Sequence, residues 1–226
     1  MKHFLFVLMF VSAFSFQSFA QDVFVENGKF RVGDDAAWAG VNVDESVWRD
    51  INNTMTWTLQ GVKCENGFGW YRYHVTIPKS LLEKSDLKET VNFNMGKIDD
   101  ADEVYLNGKL IGKSGRFPAD EKGYQSSWNS QRVYRVKANS NLIKWDADNV
   151  IAVRVYNAGD PGGMFAGPVS VRVPNTIDNL SISCKEGVDK NGDVICVSTL
   201  ISKMDATKSG SFTVQVQDPE TEKVLS

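Results

Sequence analysis

The sequence predicts an all-β protein built as a β-sandwich, and three observations carry that expectation. No stretch sustains a 3.6-residue apolar period; the best candidate, 79–88, is one or two helical turns after Pro78. Runs that alternate at a period of two recur along the chain instead. Clusters of Gly and Asn/Asp separate those runs, which is the turn chemistry of short antiparallel strands.

Met1 to Ala20 is set apart from that pattern. Lys2 and His3 give a short positive end, Phe4 to Phe16 an apolar run, and Ser18-Phe19-Ala20 the small residues of a cleavage site. This predicts a signal peptide over 1–20, cleaved before Gln21, and a secreted or periplasmic protein. The run is shorter than the ~20 apolar residues of a spanning helix, so no membrane span is expected.

The strands follow in order. Trp70 to Ile77 alternates, with Tyr71, Tyr73, Val75 and Ile77 on one face. Val91, Phe93 and Met95 repeat at two. Glu103 to Leu106 and Lys109 to Ile111 flank Asn107-Gly108, whose tolerance of positive φ predicts a type I′ hairpin. Arg132 to Val136, Val150 to Tyr156 and Val169 to Val173 are further strands. The composition then shifts near Pro174-Asn175-Thr176. All six Trp lie between Trp38 and Trp145, and no Trp or Tyr follows the shift. The expected organisation is one sandwich over 21–174 and a partial, immunoglobulin-like sandwich over 175–226. The second has three strand-like runs, at Leu180 to Cys184, Val194 to Ile201 and Ser211 to Gln217, where a complete sandwich of that kind needs about seven. Its open edges favour a piece of a longer protein.

Charge and cysteines narrow the function. Twenty-five basic against 28 acidic residues leave no basic footprint, so nucleic acid is not an expected partner. Export permits disulfides. Cys184 and Cys196 fall opposite each other if their strands pair about residue 190, which allows either a cross-strand disulfide or two buried thiols; Cys64 is left over. Three cysteines and His74 make a poor zinc set. His74 lies mid-strand with no nucleophile elbow near it, so Ser-His-Asp hydrolysis is not expected. Asp189 to Asp193 mimics the start of a calcium loop, but Leu200 stands where the closing Glu is needed, and the segment reads as a turn. Asp99, Asp100, Asp102 and Glu103 are the densest acids. They fit a tight turn before the hairpin, and Asp99, Asp100 and Asp102 can alternatively ligate Ca²⁺ through hard oxygens.

Sugar binding has a direct chemical basis. A pyranose presents an apolar C–H face and an edge of hydroxyls, which suit an aromatic platform with polar groups beside it. The loop-borne aromatics are Trp38, Trp57, Phe68, Tyr124, Trp128 and Phe165, with Asn66, Arg116, Gln125, Asn157 and Asp160 as polar neighbours. Trp48 and Trp70 read as packing residues. Arg116 to Trp128 is a long polar loop carrying Phe, Tyr and Trp, of a length that often carries function.

Five short motifs then fall in a telling order: Asp44-Glu45-Ser46-Val47-Trp48-Arg49; Gly69-Trp70-Tyr71-Arg72 with Ile77-Pro78; Gly96 to Asp102 leading to Tyr105-Leu106-Asn107-Gly108; Arg132-Val133-Tyr134; and Asn149 to Val155. Gly162-Gly163 and Gly167-Pro168 follow. With them, residues 34–173 resemble the jelly-roll, galactose-binding-like domain that opens glycoside hydrolase family 2 enzymes, for example β-galactosidases. The resemblance implies a jelly roll, then an immunoglobulin-like domain, then a catalytic (β/α) barrel that holds the paired glutamates. It therefore assigns no catalytic residue to this chain and implies a missing catalytic domain. It also implies that Asn66, before the Gly-x-Tyr strand, and Asp160, after the Val-x-Val strand, stand where β-galactosidases of the family have an Asn and an Asp that reach the active site, and it allows a structural calcium. The candidate ligand-binding set is Asn66, Phe68, Arg116, Tyr124, Trp128 and Asp160, for an oligosaccharide or polysaccharide. No organic cofactor is expected. A stand-alone glycan-binding protein and an extracellular scaffold or sensor domain are the other functions open to such a sandwich.

Overall fold

The computed structural model describes residues 22–175, other than 26, 65, 86 and 160, and the backbone of two further strands, 180–188 and 194–202. The signal segment, Asp160 and the strand expected at Ser211 to Gln217 lie outside the described residues. The chain divides into two compact units, of which residues 20–176 form the larger.

Among the described residues the larger unit carries eleven strands. The first six are β1 (Val23–Val25), β2 (Asn27–Val32), β3 (Arg49–Asn52), β4 (Gly67–Thr76), β5 (Thr90–Asp99) and β6 (Ala101–Leu106). They are followed by β7 (Lys109–Ser114), β8 (Gln131–Lys137), β9 (Asp148–Asn157), β10 (Gly163–Ala166) and β11 (Val169–Arg172). One sheet has the order β3-β2-β4-β9-β6-β7. In the other, β5 pairs with β8 along one edge and with β11 and β10 along the opposite edge, and β1 adds to β11. All these pairings are antiparallel. The helical turn expected after Pro78 is α1 (Ser80–Lys84).

The period-two alternation builds the core. Tyr71, Tyr73 and Val75 of β4, Val153 and Val155 of β9, and Val104 and Leu106 of β6 belong to one buried cluster with Val91, Phe93 and Met95 of β5. A fully buried Val or Phe stabilises by roughly 1.5–3 kcal/mol, against about 0–1 for a surface ion pair, so these inward rows hold the two sheets together. The hairpin forms as its sequence dictates. Asn107 (φ 48°) and Gly108 (φ 83°) make the two-residue turn between paired Leu106 and Lys109. Asn107 also ties the hairpin to β9: its Nδ2 donates to Asn149 Oδ1 at 2.9 Å, and its Oδ1 accepts from Val150 N at 2.9 Å.

The outer face of the six-stranded sheet carries a second, smaller core. Trp70 points outward from β4 and is covered by Trp48 and Ala39, beside Ala152 and Trp38. Trp48 and Trp70 are packing residues, as their sequence setting suggests.

Three features differ from the sequence expectation. Strands β1, β2 and β3 carry too few inward apolar residues for alternation to reveal them. Trp57, grouped with the loop aromatics, is core: its Nε1 donates to Tyr71 Oη at 2.7 Å. Gly162-Gly163 marks a close approach to that ring, and Gly163 opens β10. The smaller unit's described strands, β12 (Leu180–Val188) and β13 (Val194–Ser202), form an antiparallel pair. Their register sets Cys184 against Ser198 and Cys196 against Glu186, so the two cysteines are not direct cross-strand partners.

Gly163 has φ 88°, and a Cβ there would lie 2.5 Å from the Trp57 ring and 2.8 Å from Tyr71 Oη. Gly163→Ala is expected to destabilise the sandwich by about 2–4 kcal/mol, combining steric overlap with a strained backbone. Urea unfolding followed by Trp fluorescence reads that loss.

Candidate functional site

One end of the sandwich is organised by a buried ion pair. Arg132 of β8 is 1% exposed and Asp102 of β6 is also 1% exposed. Arg132 Nε donates to Asp102 Oδ1 at 2.8 Å. The remaining guanidinium nitrogens reach four backbone carbonyls. Nη2 donates to Ile98 O (2.8 Å) and Asp100 O (3.0 Å), and Nη1 to Ser127 O and Ser130 O (2.5 Å each). Tyr134 Oη donates to the second Asp102 oxygen. Burial pushes the Asp102 carboxyl above its ordinary value, and the opposing pull comes from Arg132 and Tyr134. A single side chain thus ties the end of β5, the start of β6 and the loop before β8.

Asp99 and Asp100 link the same point to two more loop segments. Asp100 Oδ1 accepts from Ser126 Oγ at 2.5 Å, and its Oδ2 from Ala158 N at 2.9 Å. Asp99 Oδ2 accepts from Gly162 N at 3.2 Å. The two carboxyls are neighbours in the chain and compete for charge. Asp99 is pushed up to about 6, by burial first and then by Asp100. Burial also works against the charge of Asp100, but Ser126 Oγ and Ala158 N–H outweigh it and hold that carboxyl low.

The loop from 116 to 130 forms an aromatic rim on this scaffold. Its base is a bridge between Arg116 and Gln125, closed in both directions by backbone hydrogen bonds of 2.9 and 3.1 Å. Arg116 Nε donates to Gly123 O at 3.0 Å, and its Nη1 donates to Gln125 Oε1. Phe117 folds inward onto Phe68, with centroids 5.2 Å apart, and Phe68 packs on Tyr156 at 4.9 Å. The Arg154 guanidinium lies 4.5 Å from the Phe68 ring centre and 4.6 Å from that of Phe117. Asp34 holds it with two bonds of 2.7 Å, and Glu103 with one of 3.0 Å. Tyr124 packs edge-on against Tyr156 at 5.7 Å yet remains 39% exposed. Its hydroxyl is pushed up to about 12, by burial first and then by its bond to Asp100. Trp128 is 53% exposed, and its backbone N donates to Ser126 Oγ at 3.2 Å.

The candidate residues therefore divide by role. Tyr124 and Trp128 present rings to solvent on one loop. Asn66 is exposed in a left-handed turn (φ 51°) at the head of β4, two residues from Phe68. Phe68 and Arg116 are drawn into the supporting layer by the ring stack and the loop base. Asp160 lies outside the described residues; near it, Asn157 pairs with Gly67 and donates to Cys64 O at 3.0 Å. Asp99, Asp100 and Asp102 do not converge: Asp102 turns inward to Arg132 and Tyr134, while the other two face the loops. Among the described residues no group of three His, Cys, Asp or Glu gathers as a metal site. His74 lies on the sheet's outer face between Asp148 (2.7 Å) and Glu45 (3.1 Å). Sequence reasoning missed Arg154, Phe117 and Tyr156. The one available signal was an arginine amid the valines of β9, where a strand buried on both faces would carry none.

No family model matches the chain. The β-galactosidase BoGH2A of Bacteroides ovatus is 24% identical over 87% of this chain and 23% of its own length. Among solved structures, a calcium-binding mutant of Bacteroides uniformis β-glucuronidase 2 superposes with a TM-score of 0.56 at 17% identity, over 90% of this chain and 31% of that one. A β-glycosidase from Bacteroides vulgatus gives 0.52 at 18% identity, over 81% and 24%. The chain thus spans less than a third of each of these proteins. It is similar over part of their length to family 2 glycoside hydrolases, and it shares their fold there.

The carboxyl pair gives the site a pH dependence whose sign is fixed. The folded value for Asp99, about 6, lies above the ordinary 3.8. Its contribution to stability is full below 3.8 and declines as pH rises through about 6. Asp99→Asn keeps an oxygen for Gly162 N and stays neutral. Thermal unfolding at pH 4.5 and 7.5 is expected to show the variant gaining on the natural protein at the higher pH.

Proposed function

We propose that this chain is a non-catalytic carbohydrate-binding module of a secreted glycoside hydrolase of family 2 type, for example a β-galactosidase-like enzyme, whose catalytic barrel lies outside these residues. The observation that carries the reading is the rim: two exposed aromatic side chains on a loop whose backbone is fixed from beneath by buried groups. Ser127 O and Ser130 O are bound by Arg132, and Ser126 Oγ and Ser127 N by Asp100. Exposed rings on a held loop meet the C–H face of a pyranose with little further ordering, which favours binding. Asn66 and Gln125 supply amide groups for ring hydroxyls. The partial likeness to a β-galactosidase and to β-glucuronidases supports a glycan as the partner. The chemistry of such an enzyme needs a pair of carboxyls across a sugar cleft. Asp99 and Asp100 are adjacent in the chain and spend their carboxylates on Gly162 N, Ser126 Oγ and Ala158 N, so they are not set across a cleft from each other.

Trp128→Ala tests this directly. Its ring is half in solvent, so the melting temperature is expected to stay within the error of the natural protein. Affinity for a neutral oligosaccharide identified on a glycan array is expected to fall tenfold or more, about 1.4 kcal/mol. Unchanged affinity in calorimetry, or release of p-nitrophenol from aryl β-glycosides by this chain alone, overturns the reading.

A further inference from the structure

A second groove lies away from the aromatic rim, between two free strand edges. Among the described residues, strand β7 pairs only with β6, and β8 pairs only with β5. The groove between them is shallow and open to solvent, with a volume of about 410 Å³, and none of the rim residues line it. Its apolar floor is Leu110, Ile111 and Leu142, and its polar wall Arg135, Lys137, Asn139 and Ser140; Val136 also lines it, but its side chain turns to the core, on the face of β8 opposite Arg135 and Lys137. No carboxylate is among its lining residues.

The wall is chemically unusual for this protein. The other described arginines are engaged: Arg72, Arg132, Arg154 and Arg172 with carboxylates, Arg49 and Arg116 with carbonyl oxygens, and Arg31 over the Trp38 ring. The Arg135 side chain is exposed and, among the described residues, makes no hydrogen bond, ion pair or ring contact, and neither does that of Lys137; both residues are held only through the β5–β8 ladder and, at Lys137 O, by Ser140 N. The two stand on the same face of β8, and their cross-strand partners are Asn92 and Thr90, which carry no charge. Lysine alone protects a strand edge from pairing. An unengaged arginine fork beside an ammonium, an amide and a hydroxyl, all over an apolar floor, presents a complementary set instead. The fork matches a carboxylate with two parallel hydrogen bonds, which a single ammonium cannot do. Asn139 and Ser140 match hydroxyls, and the floor matches a ring face.

We propose that this groove binds a carboxylate-bearing saccharide, with Arg135 and Lys137 taking the carboxylate and Asn139 and Ser140 the adjacent hydroxyls. The site is separate from the rim, so either can fail without the other.

The experiment is calorimetry of the intact chain with trigalacturonate, fully methyl-esterified trigalacturonate and a short poly-glutamate peptide, at 50 and 300 mM salt. Binding of the acid trimer is expected, weakening at the higher salt and at least tenfold weaker for the methyl ester. Arg135→Gln is expected to lose tenfold or more, with an unchanged melting temperature because the side chain is exposed, and Trp128→Ala to bind the trimer normally. No binding of the acid trimer, equal binding of the methyl ester, or full affinity in Arg135→Gln overturns the proposal. So does poly-glutamate bound as tightly as the trimer, which would make the groove a protein-docking site.

Discussion

A guanidinium removed from water needs a partner for each of its N–H groups, and Arg132 finds them all within one turn of the sandwich. Its five hydrogen bonds reach Asp102, two carbonyls at the β5–β6 junction and two in the loop before β8. Losing one member of such a pair leaves the other charged and buried, at a cost of about 3–5 kcal/mol. The same energetics gives the pair its structural reach. The arrangement that satisfies Arg132 also fixes where Asp100 lies, and Asp100 in turn fixes Ser126 and Ala158. Two loops distant in sequence are held by a polar centre that neither contains.

The outer face of the six-stranded sheet repeats the device twice. Arg72, 1% exposed, donates to Glu45 and to the carbonyls of Trp38 and Gly40, fastening the 34–48 segment over Trp70. Arg154 takes Asp34 and Glu103 and carries Phe68 and Phe117 on its faces. Each arginine projects from a strand and orders a segment that lies outside the two sheets. The sandwich is thus a rigid frame whose irregular segments are positioned by charge-assisted hydrogen bonds as well as by apolar burial. A rim built this way keeps the backbone that carries its exposed rings in place.

Local periodicity made much of the fold legible. The rows Tyr71-Tyr73-Val75 and Val91-Phe93-Met95, and the Asn107-Gly108 turn, are short-range signals that tertiary context reinforces. The short edge strands β1 and β3 gave no such signal, because three or four residues with one face wet do not establish a period. The site was less legible for a related reason. Composition marks Phe68, Trp57 and Arg116 as ligand-binding types, but their fate is decided by neighbours far away in sequence. Trp57 is buried by Gly163, and Phe68 is covered by Phe117 and Arg154. Trp128 stays exposed because its loop is fastened through its backbone and Ser126, and Tyr124 rests edge-on against Tyr156 with one face still in solvent. Nothing in a one-dimensional pattern separates these outcomes. The motif around Gly96 to Gly108 placed the acids at the correct junction, yet only the packing shows Asp102 turned inward while Asp99 and Asp100 latch loops.

The central claim is that Arg132 holds the rim through its fork, beyond merely neutralising Asp102. Amide hydrogen exchange of Arg132→Lys, which keeps the charge and removes the fork, tests it most directly. The account predicts faster exchange at Ser127 and Ser130, whose N–H groups donate to Asp100 O and Ser127 O, with β4 and β9 still protected. Native-like protection at Ser127 and Ser130 in that variant would contradict it.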